Sequence, residues 1–274
     1  MPDYDIITVG GGLGGSTLAK AMAEHGHRVL VLEREREFKD RVRGEWIAPW
    51  GVAEAKELGI VDLLLRECAV TVEGWDTYLG ESFLGHRDFT STTPQALPSV
   101  TFSHPEMQES LLRAASDAGA EVRRGATMRM IQPGALPVVT FDLDGRTIAA
   151  SARIVVGADG RTSLMRTAAR FEIRRDPTHL FLGGVMLEGL PMPSPYTSRL
   201  VLNPEKGLAA FLVPVGRDRA RAYLVLRADT HERLQGLGEV TKFIEQSVAT
   251  GAKPEWYAGA RAIGPLASFD GADN

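Results

Sequence analysis

Six residues near the start of the chain, Gly10-Gly11-Gly12-Leu13-Gly14-Gly15, constrain its fold more than any other stretch. Gly10, Gly12 and Gly15 satisfy the spacing G-x-G-x-x-G, a pattern that is weak alone and gains meaning from its flanks. Before it, Asp5 to Val9 reads as a short buried strand, because Ile6, Ile7 and Val9 are apolar and β-branched. After it, Ser16 to His25 has helical spacing, with Leu18, Ala19, Met22 and Ala23 on one side and Gly26 placed to end the helix. Arg28 to Leu32 is a second strand, closed by Glu33 and followed by Arg34. In such a unit Gly10 permits the tight turn, Gly12 lets backbone approach a pyrophosphate, and Gly15 lets helix and strand pack closely. Leu13 and Gly14 lie in the turn that leads into the helix, whose unpaired N–H groups and positive dipole end suit phosphate. Glu33 stands where a carboxylate accepts hydrogen bonds from an adenosine ribose and repels a 2′-phosphate. The expectation is an adenine dinucleotide with free ribose hydroxyls; the alternative is a generic glycine-rich turn followed by a surface Glu.

A second signal is Gly157-Ala158-Asp159-Gly160-Arg161-Thr162-Ser163-Leu164-Met165-Arg166. The apolar strand Ile154 to Val156 delivers Asp159 between small residues, and a helix from Ser163 to Ala169 carries Ser163 and Arg166 on its first turns. Gly157 and Gly160 let a ligand approach the backbone, and the helix start again suits phosphate. A plain strand–turn–helix junction is the competing reading.

Elsewhere, Trp50 to Arg66 is predicted helical, and residues 71 to 102 mix aromatic strand-like pieces with turns. Pro105 to Ala118 is a helix with Pro105 in its first turn and Gly119 past its end. Glu121 to Arg124 is a short strand. Val138 to Phe141 and Ile148 to Ala150 form a hairpin about Asp144-Gly145. From about Leu180 the pattern changes: Phe181 to Leu187, Ser198 to Leu202, Leu208 to Val215 and Arg219 to Leu226 read as strands. Val240 to Ala249 is a last helix. The fold class is therefore α/β, with an antiparallel sheet added to a parallel core.

Composition excludes several functions. A formal net charge of −4 gives no basic excess for nucleic acid or an anionic membrane surface. The apolar run at the N-terminus breaks at Gly10, and no segment approaches the ~18 uninterrupted apolar residues of a membrane span, so a cytoplasmic protein is expected. The single cysteine, Cys68, forms no internal disulfide and is expected to be a small buried hydrophobe. The six histidines lack ligand spacing, so no metal is expected, and no G-x-S-x-G elbow occurs.

Together, Gly10 to Gly15, Glu33 and the Gly157 to Arg166 segment resemble the motifs of single-component, class A FAD-dependent monooxygenases, the p-hydroxybenzoate hydroxylase-like group. The resemblance implies a Rossmann-like, GR2-type FAD-binding domain (residues 1–70 and 99–178). A substrate-binding β-sheet domain (71–98 and 179–265) is inserted in it, and residues 266–274 form a truncated tail. It implies FAD, with Glu33 on its ribose, Asp159 near its pyrophosphate and ribityl, and Arg166 holding the second motif. Arg43-Gly44-Glu45 falls where the group has a segment beside the mobile flavin ring, which makes Arg43 the candidate catalytic residue; a surface loop is the alternative. Many relatives carry an Arg where this chain has His104, which would be a weaker, pH-dependent donor or a plain cap; Gln108 is the alternative contact.

No second G-x-G-x-x-G is present, so NADPH or NADH would act as co-substrate without a domain of its own. The halogenase motif W-x-W-x-I-P is missing. The implied reaction is hydroxylation or epoxidation by O2 of an apolar, aromatic or polyketide-like small molecule on the antiparallel-sheet side. There Trp46, Trp75, Tyr78 and Phe211 either line the site or belong to the core. Relatives continue past a segment like Gly264-Pro265-Leu266-Ala267 into a strand with a Gly-Asp motif and long helices. The chain thus resembles the first two-thirds of such an enzyme, and its uncovered apolar surface suggests a homodimer. Two further functions stay open: a flavin reductase of the geranylgeranyl-reductase type, and a non-catalytic nucleotide-binding protein.

Overall fold

The structure, a computed structural model, describes residues 1–42, 44–174, 177–192, 196–216 and 218–270. The chain begins with β1 (Tyr4–Val9), α1 (Leu13–Glu24), β2 (Val29–Glu33), β3 (Trp46–Ile47), α2 (Pro49–Glu57) and α3 (Val61–Glu67). It continues with β4 (Ala69–Val72), β5 (Gly74–Leu79), β6 (Ser82–Asp88), α4 (Phe89–Thr92), β7 (Ser99–Phe102) and α5 (His104–Asp117). Then come β8 (Glu121–Arg124), β9 (Thr127–Gln132), β10 (Val138–Leu143), β11 (Arg146–Gly157) and α6 (Leu164–Ala168). The last part holds β12 (Leu180–Glu188), β13 (Thr197–Asn203), β14 (Leu208–Gly216), β15 (Arg219–Arg227), α7 (Val240–Thr250), β16 (Arg261–Ala262) and β17 (Ala267–Asp270).

The chain forms two compact units. Met1–Lys39 and Pro105–Arg174 make the first; Asp40–His104 and the described residues after Arg175 make the second.

In the first unit a six-stranded sheet has the order β8-β2-β1-β11-β10-β9. Strands β8, β2, β1 and the second half of β11 are parallel, while β9, β10 and the first half of β11 form an antiparallel meander. Both faces are covered, which is why Val29 to Glu33 is an unbroken buried run rather than an alternating one. Ile7, Val9, Leu30 and Leu32 pack with Met128, Val139 and Phe141 on one face. Val29 and Val31 meet Ala19 of α1 and Leu112 and Ala115 of α5 on the other. The sequence reading lacked β9 and split β11 into two pieces; one strand of twelve residues joins the hairpin to the parallel sheet.

The second unit contains an eight-stranded sheet, β16-β12-β15-β14-β13-β5-β6 with β17 also on β12, and a small sheet β3-β7-β4. Pairing is antiparallel except between β13 and β5. Along β15 the even positions Ala220, Ala222, Leu224 and Leu226 enter a core with Phe243 of α7, Trp256 and Tyr257. The small sheet gathers residues 46–47, 69–72 and 99–102, and Thr101 Oγ1 donates to the Pro214 carbonyl of β14 at 2.5 Å. Residues 40–70 and 99–104 therefore pack with the second unit rather than with the first.

Two local expectations change. The helix expected over Trp50 to Arg66 is two helices, because Gly59 at φ +66° stops α2. Residues 267–270, expected in a tail, pair antiparallel with β12, Leu182 facing Phe269; residues 271–274 lie outside the described residues. Cys68, expected buried, is half-buried at the end of α3.

Phe243 is fully buried in the core of the second unit. Phe243→Ala is expected to lower stability by roughly 3–5 kcal/mol, read from the denaturant midpoint of that unit's unfolding.

Candidate functional site

The parallel register decides what meets in the first unit. Val9 is paired with Leu32 on one side and Gly157 on the other. The residues just beyond these pairs, Gly10, Glu33 and Ala158, therefore emerge together at the carboxyl ends of β1, β2 and β11. In open α/β sheets this is where ligands bind. The backbone ladder runs on into the turns: the Gly10 amide donates to the Leu32 carbonyl at 2.8 Å, and the Ala158 amide to the Val9 carbonyl at 2.7 Å.

Close approach explains the glycines. A Cβ on Gly10, at φ +105°, would sit 2.3 Å from the Ala158 carbonyl oxygen. A Cβ on Gly15 would sit 1.9 Å from the Gly10 oxygen. No real side chain fits at either place. Gly12 is the N-cap of α1; no side chain caps the helix and no acid stands in its first turn. The positive helix end thus stays available to an anion. Leu13 and Gly14 are exposed there, and nothing lies within 4 Å of a Cβ on Gly14. Gln108, from α5, places its amide nitrogen 3.6 Å from where a Gly12 Cβ would be.

Glu33 is buried and held by two backbone amides. Gly11 donates to its Oε2 and Glu35 to its Oε1, each at 2.7 Å. Each oxygen keeps a second lone pair for a hydroxyl donor. The same turn is pinned by Ser16, whose hydroxyl donates to the Gly11 carbonyl at 2.8 Å. Arg34 points outward, 3.6 Å from Glu35. The pairing of Gly11 with Glu33 went unread in the sequence, since nothing in the spacing says which amide a carboxylate will take.

The second motif is built by capping. Asp159 accepts from the Ser163 hydroxyl at 2.5 Å and the Met165 amide at 3.0 Å. Ser163 in turn accepts from the Arg166 amide at 3.0 Å. Asp159 and Ser163 thus fix the start of α6, with Gly160 at φ +82° making the turn. A Cβ on Gly157 would lie 2.8 Å from that of Met165. Arg166 donates to the Arg161 carbonyl and braces the turn.

The second unit holds the remaining candidates. Arg43 lies outside the described residues. His104 Nδ1 is 3.2 Å from the Gly44 carbonyl, so the ring ties the 44–45 stretch to the start of α5. Glu45 is buried beneath it. Arg221 of β15, with no exposed surface, places Nη2 2.5 Å from Asp40 Oδ1 and 3.2 Å from Glu45 Oε1. The Tyr223 hydroxyl donates to Glu45 Oε2. Burial pushes the Glu45 carboxyl up to about 7; Arg221 opposes this and the charge of Asp40 adds to it. The sequence hid this cluster, because Arg221 and Tyr223 simply alternate with apolar residues and nothing local marks what meets them.

The four aromatic candidates separate. Tyr78 is core, its ring 5.1 Å from Trp256. Trp46 and Trp75 stack at 5.2 Å, with Phe89 against both. Phe211 lies half-buried in a row across the other face, paired with Leu200 and Tyr223. Among the described residues no group of His, Cys, Asp and Glu is arranged to hold a metal ion. Among the described residues no helix is long and apolar enough to cross a membrane.

Gly15→Ala is expected to lower stability by more than the ~1 kcal/mol typical of a point change and to abolish nucleotide retention, whereas Gly14→Ala leaves stability within about 0.5 kcal/mol. Thermal unfolding of the two variants side by side checks the contrast.

Comparison with known proteins places this geometry. Rifampicin monooxygenase of Streptomyces venezuelae is 34% identical over 168 residues, covering 60% of this chain and 33% of that protein. Squalene epoxidase 4 of Arabidopsis thaliana is 24% identical over 257 residues, covering 89% and 47%. The chain thus spans less than half the length of these relatives. The crystal structure of P. aeruginosa PqsL with 2-aminobenzoylacetate has the same fold, with a TM-score of 0.74 at 21% identity, over 95% of this chain and 73% of that one. The family described as FAD binding domain matches residues 3–254, and the chain belongs to it.

Proposed function

We propose that the chain is the FAD-binding and substrate-binding portion of an NAD(P)H- and O2-dependent monooxygenase that hydroxylates or epoxidises an apolar small molecule. The observation that carries the reading is the shared edge of β1, β2 and β11, where an uncapped helix end and a fixed carboxylate stand side by side. That cradle fits the ADP half of FAD: two glycines admit no Cβ, and Glu33 is already oriented by backbone amides. Held by these residues, FAD would supply the hydride-accepting and O2-activating chemistry. The chain supplies the rest. The amides of Leu13 and Gly14 bind the pyrophosphate, Glu33 accepts the ribose hydroxyls, and the Asp159 turn and Gln108 orient the remainder. The row Leu200, Phe211 and Tyr223 offers an apolar surface to a substrate and excludes water from it. The names of the two relatives by sequence, a monooxygenase and an epoxidase, favour oxygen transfer over reduction.

The test is reconstitution. The purified chain is expected to bind FAD stoichiometrically, to oxidise NADH or NADPH faster with an aromatic or polyene substrate, and to place oxygen from labelled O2 in the product. Product formed without O2, by reduction of a C=C bond, would overturn the oxygenase reading, and a chain that stays colourless with added FAD would overturn the cofactor reading. Because Glu33 is a fixed anion, 2′,5′-ADP is expected to bind at least ~10-fold more weakly than ADP by calorimetry, a difference of about 1.4 kcal/mol.

A further inference from the structure

The cluster around Glu45 belongs to no part of the nucleotide cradle. We propose that Glu45 is a proton-operated clasp, a positioning residue that fixes the stretches Asp40–Val42 and Gly44–Ile47 on the antiparallel sheet when neutral and loosens them when ionised.

The argument is one of charge count in a dry place. A single buried guanidinium, Arg221, faces two carboxylates, Asp40 and Glu45. With Glu45 neutral, Arg221 and Asp40 balance. With Glu45 ionised, a net negative charge is left where water does not reach, and such a charge is costly. Of the neighbouring groups, Tyr223 offers a phenol, His104 Nδ1 lies on the Gly44 carbonyl, and β7 carries no titratable residue. On β12, Gly184 meets Val42, and Glu188 is paired with Arg261.

The clasp adds to the other attachments of the stretch, among them Val42 against Gly184 and the ring of Trp46 on Trp75 and Phe89. Trp46 and Ile47 form a two-residue strand on β7, and the Phe102 amide donates to the Glu45 carbonyl at 3.2 Å. Gly44, at φ +106° with nothing within 4 Å of a Cβ, gives the hinge. The Glu45 carboxyl sits up at about 7 while clasped and near 4.3 when released into water. A raised value in the closed state means that docking is firm below the released value, weakens as pH rises from one to the other, and is flat above the higher. The clasp does not depend on FAD. Its bearing on the reaction, through the neighbouring residue 43, rests on the proposed function.

Hydrogen exchange of the Phe102 amide, corrected for its intrinsic rate, tests this in the chain without cofactor. Protection is expected to fall by up to ~10-fold per pH unit between about 5 and 7 and then level off. Glu45→Gln should make protection independent of pH. Asp40→Asn should move the levelling point to lower pH, and Tyr223→Phe to higher pH, because a lost like charge and a lost hydrogen bond to the anion act in opposite directions. A pH-independent wild type, or a Glu45→Gln profile like the wild type, would sink the proposal. Should Glu45→Gln not fold, the infrared band of the protonated carboxyl in labelled wild type decides: it is expected to vanish with a midpoint near 7, and its absence at pH 5.5 overturns the clasp.

Discussion

The first unit depends on how closely two backbone turns can approach. Val9 and Gly10 sit between the ends of β2 and β11, and the hydrogen bonds Gly10 to Leu32 and Ala158 to Val9 continue the parallel ladder past the last paired residues. That continuation draws the Ala158 carbonyl to where a Cβ on Gly10 would be, and it leaves α1 only the space that Gly15 allows. With the three strand ends locked, the helix end, the Glu33 carboxylate and the Asp159 turn follow with little freedom left. The polar groups of the cradle are themselves restrained: Glu33 by two amides, Asp159 by a hydroxyl and an amide. Such restraint lowers the ordering cost that a ligand would otherwise meet on binding.

The second unit solves a different problem. Its sheet buries one face in a continuous apolar core under α7, so period-two alternation sends Arg221, Tyr223 and Phe211 to the opposite face. On that face the cover is supplied partly by charged side chains. A fully buried Arg is tolerated there because Asp40 and Glu45 come to it from far earlier in the chain, Asp40 from 181 residues away. The apolar row of Leu200 and Phe211 beside it stays half-exposed.

Most of the first unit was legible from sequence because each signal there is local. A glycine spacing, a buried run and an acid at the end of a strand need no knowledge of distant residues. Gly26, Gly119 and Ser163 marked helix limits for the same reason. The failures share the opposite property. Residues 40–70 and 99–104 join the second unit through the β3-β7-β4 sheet, whose partners are 27 to 55 residues apart, from Val72 with Ser99 to Trp46 with Thr101. Arg221 could not be singled out, because alternation tells which face a side chain takes and not what covers that face. The strand β9 escaped because its β-branched residues, Thr127 and Ile131, are separated by Met128, Arg129 and Met130, which have no strand preference to mark it.

The pairing of β17 has a consequence for self-association. Strand β12 is flanked by β15 on one side and by β16 and β17 on the other, covering residues 181–184 and 187–188 of its outer edge. The two short strands leave little of that edge for another chain to template on. At the far side of the sheet β6 has β5 on one edge only, and it carries Phe83 and Leu84 exposed. A register shift between Thr77 and Tyr78, opposite Gly85 at φ +153°, bends that hairpin out of a straight ladder. One edge is thus shielded by the chain's own later strands and the other by irregular geometry, two unlike defences against edge-to-edge aggregation in a single sheet.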